Sequence, residues 1–227
     1  MMLPGRQEHW RRDPRAGILV IVAGIGLAGF IALTAALLLA PAFMEADAVM
    51  SAAIRGIEAP GLESFARVVT AAGDFWPVAA LTALTSAVFW ARRRRVEAVM
   101  MVVAVLGGVL VGAGLKQVFM RLRPAFEVAR IPLPESYSFP SGHALASFLY
   151  FGSLAFVALI DVRRLSRAVA IVAGCTVAAS SVALSRVYLG VHYLGDIVGA
   201  WLLGLVWLSA VLMVSARWGA GGPDVEH

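Results

Sequence analysis

Eleven residues in three groups could do chemistry together: Lys116, Arg123 and Pro124; Pro140, Ser141, Gly142 and His143; Ser185, Arg186, His192 and Asp196. Lys116, Arg123 and Arg186 would repel one another if they converged, unless an anion lay between them. Phosphate fits, because guanidinium forks match its oxygens in pairs and lysine adds a point charge. A single cation at a helix end says little, since it can snorkel toward lipid headgroups. Pro140 to His143 stand where a loop turns into a helix, and the unpaired N–H groups and dipole of a first helical turn attract anions. There Ser141 can cap the helix and donate its hydroxyl, while Gly142 lets a ligand approach the backbone. His192 and Asp196 are four apart, so on a helix they share a face about 6 Å of rise apart. A carboxylate on one imidazole nitrogen leaves the other free to attack phosphorus. Gly195 and the unknown helix start are the weak points of that pairing. His143 is the second histidine in reach and suits protonation of a departing alkoxide. His9 and His227 lie in polar tails and read as inert. Two histidines and an aspartate could also hold a metal, but the ion would sit among three cations with one carboxylate to offset it, so neither metal nor cofactor is expected.

The elements that must position these groups are membrane spans. The chain is 60% hydrophobic and 15% charged with a mean hydropathy of +0.84, well outside the soluble range. A net charge of +5 could suggest nucleic acid, but the basic residues form short clusters between apolar stretches, with no basic face interleaved with aromatics. The single cysteine, Cys175, lies in an apolar run and reads as packing. Six stretches are long enough to cross a bilayer: Gly17 to Ala40, Trp76 to Ala91, Val96 to Val118, His143 to Ile160, Arg167 to Val187 and Leu194 to Ala216. The first imitates a signal peptide, with Arg11, Arg12 and Arg15 before it and Ala40, Pro41 and Ala42 after it, but its apolar stretch is too long and it reads as a retained helix.

Twelve of the 19 basic residues fall on one side of these spans, including Arg92 to Arg95 as a topological anchor. The expected orientation therefore has both termini in the cytoplasm, in the inner (plasma) membrane, with all three chemical groups at the opposite, periplasmic or exterior face. Between the first two spans, Val49, Met50, Ala53, Ile54 and Ile57 recur at helical spacing, and so do Leu62, Phe65, Val69 and Ala72 after Pro60-Gly61. These read as two short amphipathic helices at the outer interface, covering the bundle or gating lipid entry. The expected fold is an all-α bundle of six transmembrane helices. Residues 1–16 form a cytoplasmic tail, 17–218 the membrane domain and 219–227 a flexible tail.

The three groups resemble the signature of the type 2 phosphatidic acid phosphatases, a superfamily that also contains soluble vanadium haloperoxidases. Lys116 with Arg123-Pro124, then Pro140 to His143, then Ser185-Arg186 with His192 and Asp196 match its fixed identities at the family's spacings. The resemblance implies that His192 attacks phosphorus to form a phosphohistidine, that Asp196 orients it, and that His143 protonates the leaving oxygen. It assigns Lys116, Arg123, Arg186, Ser141 and the Gly142 N–H to the phosphate, with no metal. The implied partner is a membrane lipid phosphate such as undecaprenyl diphosphate, phosphatidylglycerophosphate or phosphatidic acid. Two other classes are weighed against this: an anion transporter and a non-catalytic lipid-phosphate binder on the same bundle.

Overall fold

A computed structural model of the protein describes residues 14–160 and 162–219. The two tail readings, apart from residues 14–16 and 219, therefore lie outside the described residues, as do His9, His227, Arg6, Arg11 and Arg12. Among the described residues all regular structure is helical: α1 (Pro14–Leu39), α2 (Pro41–Arg55), α3 (Leu62–Ala72), α4 (Phe75–Ala91), α5 (Arg95–Phe119), α6 (Gly142–Leu159), α7 (Leu165–Tyr188) and α8 (Leu194–Gly219). α1, α5, α6, α7 and α8 are long and apolar enough to span a membrane; α4, of 17 residues, reaches that length only together with α3, from which it bends by 55°. The expected span limits agree with these helices within three residues at each end.

The sequence makes helices of these segments because long runs of Leu, Val, Ile and Ala leave the backbone no hydrogen-bonding solvent but itself. Ile18, Val20, Ile21, Ile25 and Ile31 of α1 stay exposed, as a lipid-facing helix requires. Between helices the fit comes from small residues rather than from hydrophobicity. Gly26 and Gly29 of α1 abut Leu202, Leu205 and Val206 of α8, and Gly204 of α8 abuts the Phe148 ring of α6. α8 is thus the central helix, packed against α1, α2, α5 and α6. α5 contains a π-helical turn at Val103–Gly107; the Trp207 indole N–H of α8 donates to the Ala104 carbonyl there at 2.9 Å.

The two short helices do form, but α2 presents a different face from the one its apolar spacing suggests. Val49 and Met50 are exposed, Ile54 packs on the core, and Asp47 and Ser51 are buried. The reason is the solvent: with hydrocarbon outside, apolar periodicity marks the lipid side, and the polar residues turn inward to meet helix ends.

Phe139, just before the second chemical group, is 2% exposed and packs with Phe30 and Phe119 at centroid distances of 5.7 and 5.3 Å. Gly199 of α8 lies against it, and a Cβ there would sit 2.3 Å from the ring. Gly199→Ala is expected to cost about 1–3 kcal/mol by overpacking, read as a lower melting midpoint in detergent. Gly114→Ala, where a Cβ meets nothing within 4 Å, should be neutral or gain up to about 1 kcal/mol; equal midpoints for the two variants would contradict this packing.

Candidate active site

Chain direction brings four helix ends to one end of the bundle: the C-termini of α5 and α7 and the N-termini of α6 and α8. Arg92 to Arg95, at the N-terminal end of α5, lie at the other end, about 37 Å away at 1.5 Å per residue. The eight residues expected at the site, Lys116, Arg123, Ser141, Gly142, His143, Arg186, His192 and Asp196, therefore all fall at one end.

Main-chain hydrogen bonds lock the three groups to one another. The Ser138 N–H donates to the Arg121 carbonyl at 2.8 Å, and the Ser141 N–H to the Asp196 carbonyl at 3.1 Å. Lys116 Nζ donates to the Tyr137 and Ser138 carbonyls. Arg123 spreads its guanidinium over the Ser136 carbonyl (2.7 Å), the Val191 carbonyl (2.7 Å) and the Ser136 hydroxyl (3.1 Å). Arg186 Nη1 donates to Thr70 Oγ1 of α3 at 2.6 Å. Among the described residues none of these three cations is salt-bridged to a carboxylate, so each is oriented by neutral acceptors and keeps its full charge.

His192 and Asp196 meet, but not along one helix. α7 ends at Tyr188, a turn with Gly190 at φ +77° follows, and α8 begins only at Leu194. His192 therefore sits in the turn, and Asp196, in the first turn of α8, reaches back to it. Its Oδ2 accepts from His192 Nδ1 (3.1 Å), from the Tyr193 N–H (2.9 Å) and from the Ser138 hydroxyl. Gly190 is needed here because a Cβ would sit 2.2 Å from the Val128 carbonyl, besides its positive φ.

With Nδ1 facing a carboxylate, the proton of the neutral ring belongs on Nδ1 and the lone pair on Nε2. Nε2 lies 3.1 Å from Arg123 Nη1. Burial pushes the His192 imidazole well below its ordinary value, against the pull of Asp196 and with Arg123 and Lys116 adding to the shift.

Ser141 occupies the N-cap position of α6 but makes no side-chain cap bond. Its Oγ is buried and unpartnered, as is Arg186 Nε. The expected capping role is thus corrected: the Ser141 hydroxyl does not bond the first turn of α6. His143 Nε2 lies 2.7 Å from Asp74 Oδ1, at the start of α4. Gly73 lets that junction approach, since a Cβ there would be 3.3 Å from His143 Cδ2 and 2.3 Å from Val182 Cγ1.

Several contributing residues went unread in the sequence. Arg121, between Lys116 and Arg123, bridges Asp196 Oδ1 (2.6 Å) and Asp47 Oδ2 (2.7 Å). Asp47 and Ser51 of α2 also accept the Gly195 and Leu194 N–H groups, both at 2.8 Å, and so cap α8 from another helix. Gly195, a weakness when read locally, is what admits the Asp47 carboxylate: a Cβ would stand 2.7 Å from Asp47 Oδ2. Asp74, Thr70 and Ser138 complete the set, and none carries a local sequence signal. Carboxylates lie nearby, but they pair with Arg121 and His143 rather than with Lys116, Arg123 or Arg186. Among the described residues no three His, Cys, Asp or Glu side chains are grouped so as to hold a metal ion.

A family model described as the PAP2 superfamily matches residues 97–219, which include all eight expected site residues. The chain belongs to the PAP2 superfamily. It is 31% identical over 180 residues to the phosphatidylglycerophosphatase B of Bacillus subtilis, covering 78% of this chain and 87% of that one. It is also 31% identical over 127 residues to the undecaprenyl-diphosphatase of Sulfolobus acidocaldarius, covering 52% and 54%. The crystal structure of a transmembrane PAP2 type phosphatidylglycerolphosphate phosphatase from Bacillus subtilis superposes with a TM-score of 0.77 at 27% identity, over 86% of this chain and 96% of that one. The expected all-α membrane bundle is thereby borne out, and the chain is a multi-pass membrane phosphatase of the PAP2 type.

In this PAP2 phosphatase the ring state of His192 is directly measurable. A 15N spectrum of imidazole-labelled protein at neutral pH is expected to show His192 neutral and protonated at Nδ1; a doubly protonated ring would contradict the geometry.

Proposed function

We propose that this PAP2 phosphatase hydrolyses a phosphate ester, or the terminal phosphate of a diphosphate, from a lipid at the extracytoplasmic face through a phosphohistidine on His192. The observation that carries the reading is the His192 ring, whose Nδ1 is held by Asp196 while Nε2 faces the Arg123 guanidinium at 3.1 Å. The Arg123 guanidinium donates to the Nε2 lone pair here; turned to the oxygens of a phosphate, the same fork would set phosphorus within reach of Nε2.

In the first step the Nε2 lone pair forms the N–P bond, the P–O bond to the lipid breaks, and the departing oxygen takes a proton from His143. In the second, His143 takes a proton from water, the oxygen attacks phosphorus, and the N–P electrons return to Nε2 with release of inorganic phosphate. Lys116, Arg123, Arg186, the Ser141 hydroxyl and the Gly142 N–H offset charge developing on the equatorial oxygens. The unpartnered Ser141 Oγ and Arg186 Nε support that role. The histidines and cations suffice for these steps, so the chemistry is taken as metal-free.

A lipid substrate is supported by a cleft of about 140 Å³ beside Gly142 and His143, lined by Phe75, Val78, Val105 and Val109. It adjoins His143, the proton donor to the leaving oxygen in this reading. The bias of basic residues toward the far end supports cytoplasmic termini in the inner membrane. The named activities of the relatives make phosphatidylglycerophosphate and undecaprenyl diphosphate the first substrates to test, with phosphatidic acid beside them.

Protein purified in detergent with EDTA is expected to release inorganic phosphate from at least one of these lipids. His192→Ala should lose at least about 10³-fold in kcat, and His143→Ala about 10²- to 10⁴-fold. No release from any lipid, or release untouched by His192→Ala, would move the weight to a binder or anion carrier. Because His192 must be neutral to attack and its value is lowered, its protonation removes activity as pH falls through that lowered value. The acid limb of kcat/KM is therefore expected below pH 6.5, the ordinary value for histidine; a limb at or above it contradicts the buried neutral ring.

A further inference from the structure

We propose that Asp47, on the short helix α2, is a positioning residue for this reaction: it holds one arm of the Arg121 guanidinium so that the other arm fixes Asp196 Oδ1 and leaves Asp196 Oδ2 facing His192. This inference rests on the reading of His192 as nucleophile.

Arg121 splits its fork, with Nη2 on Asp47 Oδ2 at 2.7 Å and Nη1 on Asp196 Oδ1 at 2.6 Å. A guanidinium beside a lone carboxylate prefers to take both of its oxygens. Without the Asp47 charge, Arg121 turns both arms to Asp196 and competes for Oδ2, the oxygen that holds His192 Nδ1. Asp47 is buried, as is Asp196, so solvent does little to weaken this contest. The Arg121 guanidinium carbon lies over the Tyr193 ring, 4.4 Å from its centroid, a cation–π contact that adds to the hold on the fork.

Asp47 also caps α8 through the Gly195 N–H, so a purely structural role must be told apart from this one. Ser51 makes that comparison possible: it caps the adjacent Leu194 N–H from the same helix and carries no charge. The charged groups around His192 are Asp196, Arg123 and Lys116, with Arg121 and Asp47 beyond Asp196. Removing the Asp47 charge makes the field at His192 more positive and its protonation harder, so the acid limb moves to lower pH.

The test compares D47N, D47E, R121K and S51A with wild type for lipid phosphate release and melting midpoint. D47N retains an amide oxygen for the Gly195 N–H and is expected to lose about tenfold in kcat, with KM within about twofold and the acid limb shifted acidward. D47E should recover part of kcat. R121K keeps the charge but not the fork and should lose kcat by a similar factor. S51A should lower the midpoint while kcat stays within about twofold. Wild-type kcat in D47N or R121K, or equal losses in D47N and S51A with neither limb moved, overturns the proposal. Absence of phosphate release from wild type would instead sink the phosphatase reading; turnover by wild type and D47N alike, with His192→Ala inactive, would sink this inference alone.

Discussion

A carboxylate with no solvent exposure, inside a bundle whose outer surface is hydrocarbon, costs several kcal/mol unless every oxygen finds a donor. Asp196 is 0% exposed, and its donors come from separate stretches of chain: Arg121 after α5, Ser138 before α6, and His192 and Tyr193 in the turn before α8. Once Asp196 is satisfied, the imidazole has one orientation and the loop before Ser141 is anchored to α8. Arg121 then needs a second carboxylate for its other arm, which draws α2 inward. The architecture of this end of the bundle follows from satisfying one buried charge.

The basic residues divide by what holds them. Arg121 faces two carboxylates and is neutralised twice over. Lys116, Arg123 and Arg186 are held by carbonyl and hydroxyl oxygens, which fix direction without removing charge. Such cations in a partly desolvated site retain a demand for an anion, whereas Arg121, already paired with two carboxylates, does not. The two histidines differ in a parallel way: His192 is held by a wholly buried carboxylate, His143 by Asp74, whose side chain is 57% exposed.

Much of this was legible in the sequence because hydrocarbon simplifies the problem. Apolar runs mark spans, and polar residues placed at their ends stand out; Lys116, Ser141, His143, Arg186, His192 and Asp196 were all visible in that way. The inward face of α2 was not, since the apolar spacing of Val49, Met50 and Ala53 reports helical form but not which side meets protein. Asp47 and Thr70 reach their partners across 148 and 116 residues, a distance no local pattern spans. His192 and Asp196 were paired for a geometric reason that the structure replaces: spacing of four fits a helix face, yet the contact is made by a carboxylate reaching back from a first turn to the bend before it.

The capping of α8 by α2 also has a temporal side. Asp47 and Ser51 precede Gly195 and Leu194, whose amides they accept, by 148 and 143 residues, and those amides open α8. Until that helix enters the bilayer, the turn bearing His192 has no Asp196 to hold it and α2 has no helix end to cap. A chain halted during synthesis before α8 would hold Lys116, Arg121, Arg123 and Arg186 and still lack the Asp196 that orients the His192 imidazole.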